Sequence, residues 1–424
     1  RGRGALPRGA GAPLSPSWHC RRRAALREGR PKAMPSWLSG ALQWLAAQPP
    51  VEAALSSLLA TQSVQGLAMV LFGTQEMPPV TLLSILLGLL LSYIIFLIVI
   101  PKGRVALWGF WYFLVSGDNK TRKPDDDPFQ MDSPGCKRMK VIFIRHGESD
   151  WNAVFNVGSK ALLPIRLAQG LIREAFMVFD QDSLFIDSPL SDIGIQQAWD
   201  LMTFLAAQPA GTADPSRPCK ELEIADLVSI IRGDVGESIL VSSILRRAIS
   251  TGLIALSPRL LKTSPQKDKM ILMTSLQEIS RNVDTLSLTP ARQLPQCPSK
   301  EADMKNMGDL MTHFYRTRVD RKHNEGNKTL KQKAIRRQEQ FNKWVFDQKA
   351  DTIIVAGHSI WFREYFKSFL PKVSKHVAKT SKIANGGVIA FDLYKDSKSV
   401  LRIDQQSIKE VYGGFEVKGK HKKA

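Results

Sequence analysis

At 424 residues the chain has room for a catalytic domain plus further segments, and a hydrophobic share of 44% is ordinary for a globular protein. Its formal net charge of +20 points to acidic partners such as phosphorylated substrates or anionic lipid. It lacks the basic–aromatic interleaving of single-strand binders, which argues against nucleic acid, and its four cysteines form no CxxC pair, which excludes a disulfide framework or a cysteine zinc site and suits a reducing compartment.

Residues 1–33 hold nine Arg or Lys against the single acid Glu28, a net +8. They read as an Arg-rich leader of transit-peptide type or as a non-native extension ahead of Met34, and in neither case as part of a fold. Residues 34–80 are rich in Ala, Leu, Ser and Gln and read as amphipathic helices at a membrane surface or as a poorly ordered region.

Thr81–Ile100 reads TLLSILLGLLLSYIIFLIVI, an uncharged apolar run of about 20 residues, the length a helix needs to cross a bilayer core. One transmembrane helix is expected there. No Lys or Arg occurs between Lys32 and this run, whereas Lys102, Arg104, Lys120, Arg122 and Lys123 follow it, so the positive-inside rule places the C-terminal side in the cytosol. Residues 101–139 read as a juxtamembrane segment and linker, polar and rich in turn formers from 116 to 138.

From Lys140 to about 412 the pattern becomes that of an α/β domain: short apolar runs alternate with longer amphipathic segments. Strands are expected at Val141–Ile144, Ser238–Val241, Met270–Met273, Thr352–Val355 and Val388–Tyr394. Helices are expected at Asp192–Gln208 with Ser191 as N-cap, at Thr329–Asp347 and at Ile360–Leu370. Residues 413–424 read as a basic, solvated tail.

Chemistry concentrates where apolar strands end. Val141–Asn152 reads VIFIRHGESDWN, a strand that stops at Arg145-His146-Gly147, and ligands of α/β sheets bind outside the carboxyl ends of strands. Arg145 offers a planar fork suited to phosphate oxygens. A neutral His146 offers a nucleophilic ring nitrogen, and Gly147 allows a sharp turn and close approach to a ligand. Further strand ends bring His358 (in TIIVAGHS), Arg246 and Arg247 (in SILVSSILRRAIST) and Glu278 (in ILMTSLQEIS), so two histidines, two arginines and an acid are expected on one rim.

These pieces resemble the histidine phosphatase superfamily, in its phosphoglycerate mutase-like branch, over about residues 140–395. Arg145-His146-Gly147-Glu148-Ser149 with Trp151-Asn152 resembles the opening motif, and Asp187-Ser188-Pro189-Leu190-Ser191 with Gly194 the next. Ser243–Ala248 with Thr251 makes Arg247 the motif arginine. Leu276-Gln277-Glu278 resembles the proton-donor segment, and Gly357-His358 the second histidine.

The resemblance implies a three-layer α/β/α sandwich around a mostly parallel sheet. It implies phosphohistidine chemistry at His146, with Glu278 held protonated by burial as proton donor. Arg145, Asn152, Arg247 and a protonated His358 would bind the phosphate or substrate, with no cofactor and no metal. Arg246 is expected to be a surface or ion-pairing residue and Glu148 to support the loop.

Glu278 is followed by Ile279-Ser280-Arg281-Asn282 and not by the basic, aromatic stretch of the mutases. The stretch 153–186 is long and partly apolar, and with Pro295–Lys328 it is expected to select substrate. The expected function is a membrane-anchored phosphatase acting on a phosphorylated small molecule or phosphoprotein. A phosphoglycerate mutase or sugar-bisphosphatase, and a non-catalytic phospholigand- or protein-binding scaffold, are the alternatives.

Overall fold

A computed structural model describes residues 88–95, 99–118, 129, 131, 134–156, 158–208, 219–305 and 307–416. The segments expected as leader and N-terminal region, 1–33 and 34–80, lie outside the described residues, as do positions 81–87 and 96–98 of the expected span and most of the basic tail. Among the described residues no helix is long and apolar enough to cross a membrane.

The chain divides into two units, Arg1–Tyr93 and Ile94–Ala424. Within the second, eight strands form one sheet in the order β4-β3-β2-β5-β1-β6-β7, with β8 also on β6. The strands are β1 Lys137–Arg145, β2 Ser238–Ser243, β3 Met270–Met273, β4 Val319–His323, β5 Thr352–Gly357, β6 Val388–Lys395, β7 Leu401–Ile403 and β8 Lys409–Tyr412. Strands β1 to β5 pair in parallel, and β6 runs antiparallel to β1, β7 and β8.

The central position of β1 follows from its sequence. Val141-Ile142-Phe143-Ile144 is apolar on both faces, as a doubly covered strand requires. Ile142 and Ile144 enter one core with α4 Asp192–Ala207, α5 Cys219–Ile231, α6 Arg246–Ala255 and α9 Gly308–Thr317. Val141 and Phe143 enter the other with α10 Ala334–Phe346 and α11 Ser359–Phe369. Phe143 stacks on Phe362 at 4.0 Å and meets Trp361, Tyr365, Phe366 and Phe391 edge-on. Helices therefore cover both faces, and the parallel strands deliver their carboxyl ends to one rim.

The remaining helices are α1 Pro101–Val115, α2 Asp150–Phe155, α3 Leu163–Phe176, α7 Ser257–Lys262 and α8 Ser299–Ala302. The expected N-cap is present on α4: Ser191 Oγ accepts from the Gly194 N–H at 3.1 Å. The juxtamembrane segment holds α1, whose Tyr112 is buried and whose Gly109 lies against Val283 and Leu286. Residues 413–416, expected in the tail, join the fold through a bridge from Phe415 to Ile383.

Candidate active site

The Arg145-His146-Gly147 turn is fixed by its neighbours. The His146 N–H donates to Gly357 O at 3.0 Å, which ties the end of β1 to the end of β5. The Gly147 N–H donates to Thr251 Oγ1 at 3.0 Å. Gly147 and Gly194 pack backbone to backbone: a Cβ on Gly147 would lie 2.4 Å from Gly194 O, and one on Gly194 would lie 1.9 Å from Glu148 O. Glycine at 147 thus serves contact with the start of α4 rather than an unusual backbone angle. Glu148 accepts from Ser191 Oγ at 3.0 Å and supports this junction.

His146 Nδ1 lies 2.5 Å from Gly147 O. A carbonyl only accepts, so Nδ1 carries the proton and Nε2 keeps its lone pair. Burial, with the charges of Arg247 and Arg145 beside it, holds the His146 pKa well below its usual value, so the ring is neutral. His358 lies behind it, ring centroids 5.0 Å apart, fully buried with neither ring nitrogen hydrogen bonded. Burial, then Arg247 and His146, lowers its pKa strongly too. This favours the neutral ring, and a bound dianion would favour the proton that the expected phosphate-binding role of His358 calls for.

A cavity of about 190 Å³ opens over His146. Arg145, Asn152, Arg247 and Glu278 also line it, so five of the six expected residues meet there; His358 packs against His146 and is not part of the lining. Arg247 is held from behind: Nη1 donates to Asp284 O at 2.9 Å and Nη2 to Asp284 Oδ2 at 3.3 Å. Arg145 Nη1 pairs with Glu416 Oε1 at 2.5 Å. Asn152 Oδ1 accepts from Asn156 Nδ2 at 2.7 Å. Arg246 is away from the cavity, buried and paired with Asp182 and Asp187.

Glu278 is fixed as an acceptor. Oε1 receives the Ile279 N–H at 2.9 Å and the Trp361 N–H at 2.8 Å, and Oε2 receives the Ile360 N–H at 3.3 Å, so the carboxyl sits on the first turn of α11. Its backbone is held as firmly. Lys328 Nζ donates to Glu278 O and to Ser280 O, both at 2.6 Å, and Arg337 donates to Gln277 O. Asp118, just past α1, accepts from both cations.

Asp284 was not anticipated from the sequence. It lines the cavity, its Oδ1 is buried without a hydrogen bond, and burial pushes its carboxyl up to about 6, Arg247 opposing the shift and Glu278 adding to it. Lys382 also reaches the cavity. Only the position of Asp284 after the end of β3 could have flagged it. Of the stretch 153–186, Asn156 is the one cavity residue among those described, and 295–328 supplies none; residues 280–285 occupy that wall instead. Among the described residues no three metal-ligating side chains cluster.

Arg145, His146 and Arg247 thus meet at one sheet rim, with His358 packed behind His146. It matches no protein-family model and no curated protein. Solved structures similar to it include a putative alpha-ribazole-5'-P phosphatase from Escherichia coli (TM-score 0.30, 16% identity, 63% of this chain and 94% of that chain). A mycobacterial glucosyl-3-phosphoglycerate phosphatase gives TM-score 0.30 at 14% identity over 63% and 97% of the two chains. Phosphoserine phosphatase from Entamoeba histolytica gives 0.25 at 14% over 59% and 89%.

Proposed function

We propose that the protein is a phosphoric monoester hydrolase working through a phosphohistidine on His146, held at a membrane by a helix over 81–100 with the catalytic unit on the cytosolic side. The observation that carries the chemistry is the His146 Nδ1 contact with Gly147 O, which leaves a neutral Nε2 at a cavity flanked by Arg145 and Arg247. The uncharged run Thr81–Ile100 and the cations that follow it support the anchor and its orientation.

Nε2 attacks phosphorus while the bond from phosphorus to the ester oxygen breaks. Arg145 and Arg247 neutralise the phosphoryl oxygens, a then-protonated His358 adds positive charge from behind His146, and Asn152 contacts the substrate. The leaving oxygen takes a proton. On this reading the donor role expected for Glu278 passes to Asp284, because both Glu278 oxygens already accept backbone N–H groups whereas Asp284 has a free Oδ1 and a raised pKa. Glu278 instead orients the residues at the start of α11. Water then attacks phosphorus, returns its proton to Asp284 and releases inorganic phosphate from His146. The substrate is a phosphorylated small molecule.

The test is rapid acid-labile phosphate trapping on the wild type and on His146→Ala with p-nitrophenyl phosphate. The wild type forms a base-stable, acid-labile phosphoprotein and the variant forms none. Turnover retained by His146→Ala would overturn the mechanism.

A further inference from the structure

Helix α3 turns two charged side chains inward: Arg166 Nε donates to Val154 O at 2.9 Å, and Glu174 Oε2 accepts from the Leu184 N–H at 2.7 Å while Oε1 pairs with Lys102 at 3.6 Å. Several of its large apolar side chains stay outside, while Leu163 and Leu167 are half-buried. Ile165, Ile172 and Phe176 are 56%, 59% and 85% exposed, and their spacing lays them along one stripe. A helix on a globular surface does the reverse.

Helix α1 carries a second exposed apolar stripe. It is apolar nearly all round, yet Leu107, Phe110, Trp111 and Leu114 are exposed while Tyr112 is buried. The helices meet where Lys102, at the head of α1, donates to Met177 O just past α3. Both also back walls of the cavity. Val283, against Gly109 of α1, precedes Asp284. Phe185, against Gly170 of α3, stands 6.2 Å from the ring of Trp151, a cavity residue.

We propose that the α1–α3 face docks on a phospholipid bilayer and that the cavity takes phosphate monoesters carried by lipids at that surface; the second half rests on the phosphatase reading above. Three observations select lipid as the occupant. The uncharged run Thr81–Ile100 leads straight into α1. Arg104 and Arg173 are exposed on the same two helices, as cations for anionic headgroups. An exposed Trp among aliphatic side chains is the composition of helices that lie in the interfacial layer. The cavity, at about 190 Å³, is smaller than the roughly 300–1,000 Å³ that engulfs a whole small ligand. It holds the phosphoryl end and lets the remainder of the substrate leave by the mouth.

The experiment uses the full chain in phosphatidylcholine vesicles containing phosphatidate and a diazirine-bearing phosphatidylcholine, with cross-linked peptides mapped after illumination. Cross-links on 165–179 as well as on 81–100 are expected. Cross-links confined to 81–100 would overturn docking while leaving the anchor intact. Their absence from α1 and α3 because residues 34–80 or a second copy covers the face would overturn it equally. In the same vesicles, Ile172→Asp with Phe176→Asp lowers phosphatidate hydrolysis by about tenfold through lost apolar burial and leaves p-nitrophenyl phosphate turnover unchanged. Equal phosphatidate turnover would overturn the substrate class. A wild type inactive on both substrates would sink the phosphatase reading, and with it the substrate class, while the cross-linking still decides docking.

Discussion

Asp118 and Lys328 form a fully buried ion pair, 2.9 Å apart with no side-chain exposure on either partner. Arg337 closes on the other carboxylate oxygen at 2.5 Å. One anion thus pairs with two cations, which also donate to the backbone of Gln277, Glu278 and Ser280. The segment after α1 is therefore part of the support of the cavity wall.

Removing the anion leaves both cations buried and unpaired, which typically costs about 3–5 kcal/mol. Asp118→Ala is expected to lower the urea midpoint accordingly and to depress kcat. A fragment starting at Lys137 should share the defect, whereas one starting at Val99 should not. Equal urea midpoints for the two fragments would contradict the role given to Asp118.

The Gly147–Gly194 contact predicts a second cost. A methyl group on Gly194 would overlap Glu148 O, and relief requires the nucleophile loop to move. Overpacking of this kind costs about 1–3 kcal/mol. Gly194→Ala should lose that much stability and lose activity beyond it, measured as kcat per folded molecule after urea titration.

Asp284 predicts a pH limb. Its folded pKa of about 6 lies above the unfolded value near 3.8, so the native state binds more protons between them and stability falls as pH rises through that window. The donor proton is lost over the upper part of the same window. kcat/KM should fall above about pH 6, and Asp284→Asn should abolish that limb and flatten the stability profile. A limb that persists in Asp284→Asn and vanishes in Glu278→Gln would return the donor role to Glu278.

The two histidines act with opposite sign. Both are held neutral in the fold while the unfolded ring protonates near 6.5, so the unfolded state binds more protons below that pH and stability falls as pH drops. Urea titrations at stepwise lower pH should show this, and His358→Gln should reduce it. Inorganic phosphate, by favouring the imidazolium of His358, should restore part of the lost stability. Phosphate without effect on the acid side would argue against His358 as a phosphate-binding group.

The parallel core was legible because its strands are apolar runs that end on chemistry: β1, β2, β3 and β5, and beside them the antiparallel β6, lie where the apolar runs place them. β4 was not, since Val319–His323 reads VDRKH and earns its strand state from pairing with β3 at the sheet edge. α3 was hidden because its apolar stripe faces outward. At the site, residues next to strand ends could be read, whereas Asp284 and Lys328 depend on long-range burial that composition does not encode. Glu278 could be located from its motif, but its bonds to the α11 amides came from a segment about eighty residues further on.

The place of β1 in the sheet also orders events during synthesis. Its parallel partner β5 joins it through pairs such as Lys140 with Thr352, and its antiparallel partner β6 through pairs such as Ile144 with Val388. The apolar Val141–Ile144 run emerges from the ribosome first and stays without either neighbour until more than two hundred further residues have followed. Such non-local pairing makes folding slow and leaves strand edges open to aggregation. The strand that leads into the nucleophile is thus exposed to aggregation until its partners arrive, and recombinant yield should respond to chaperone supply.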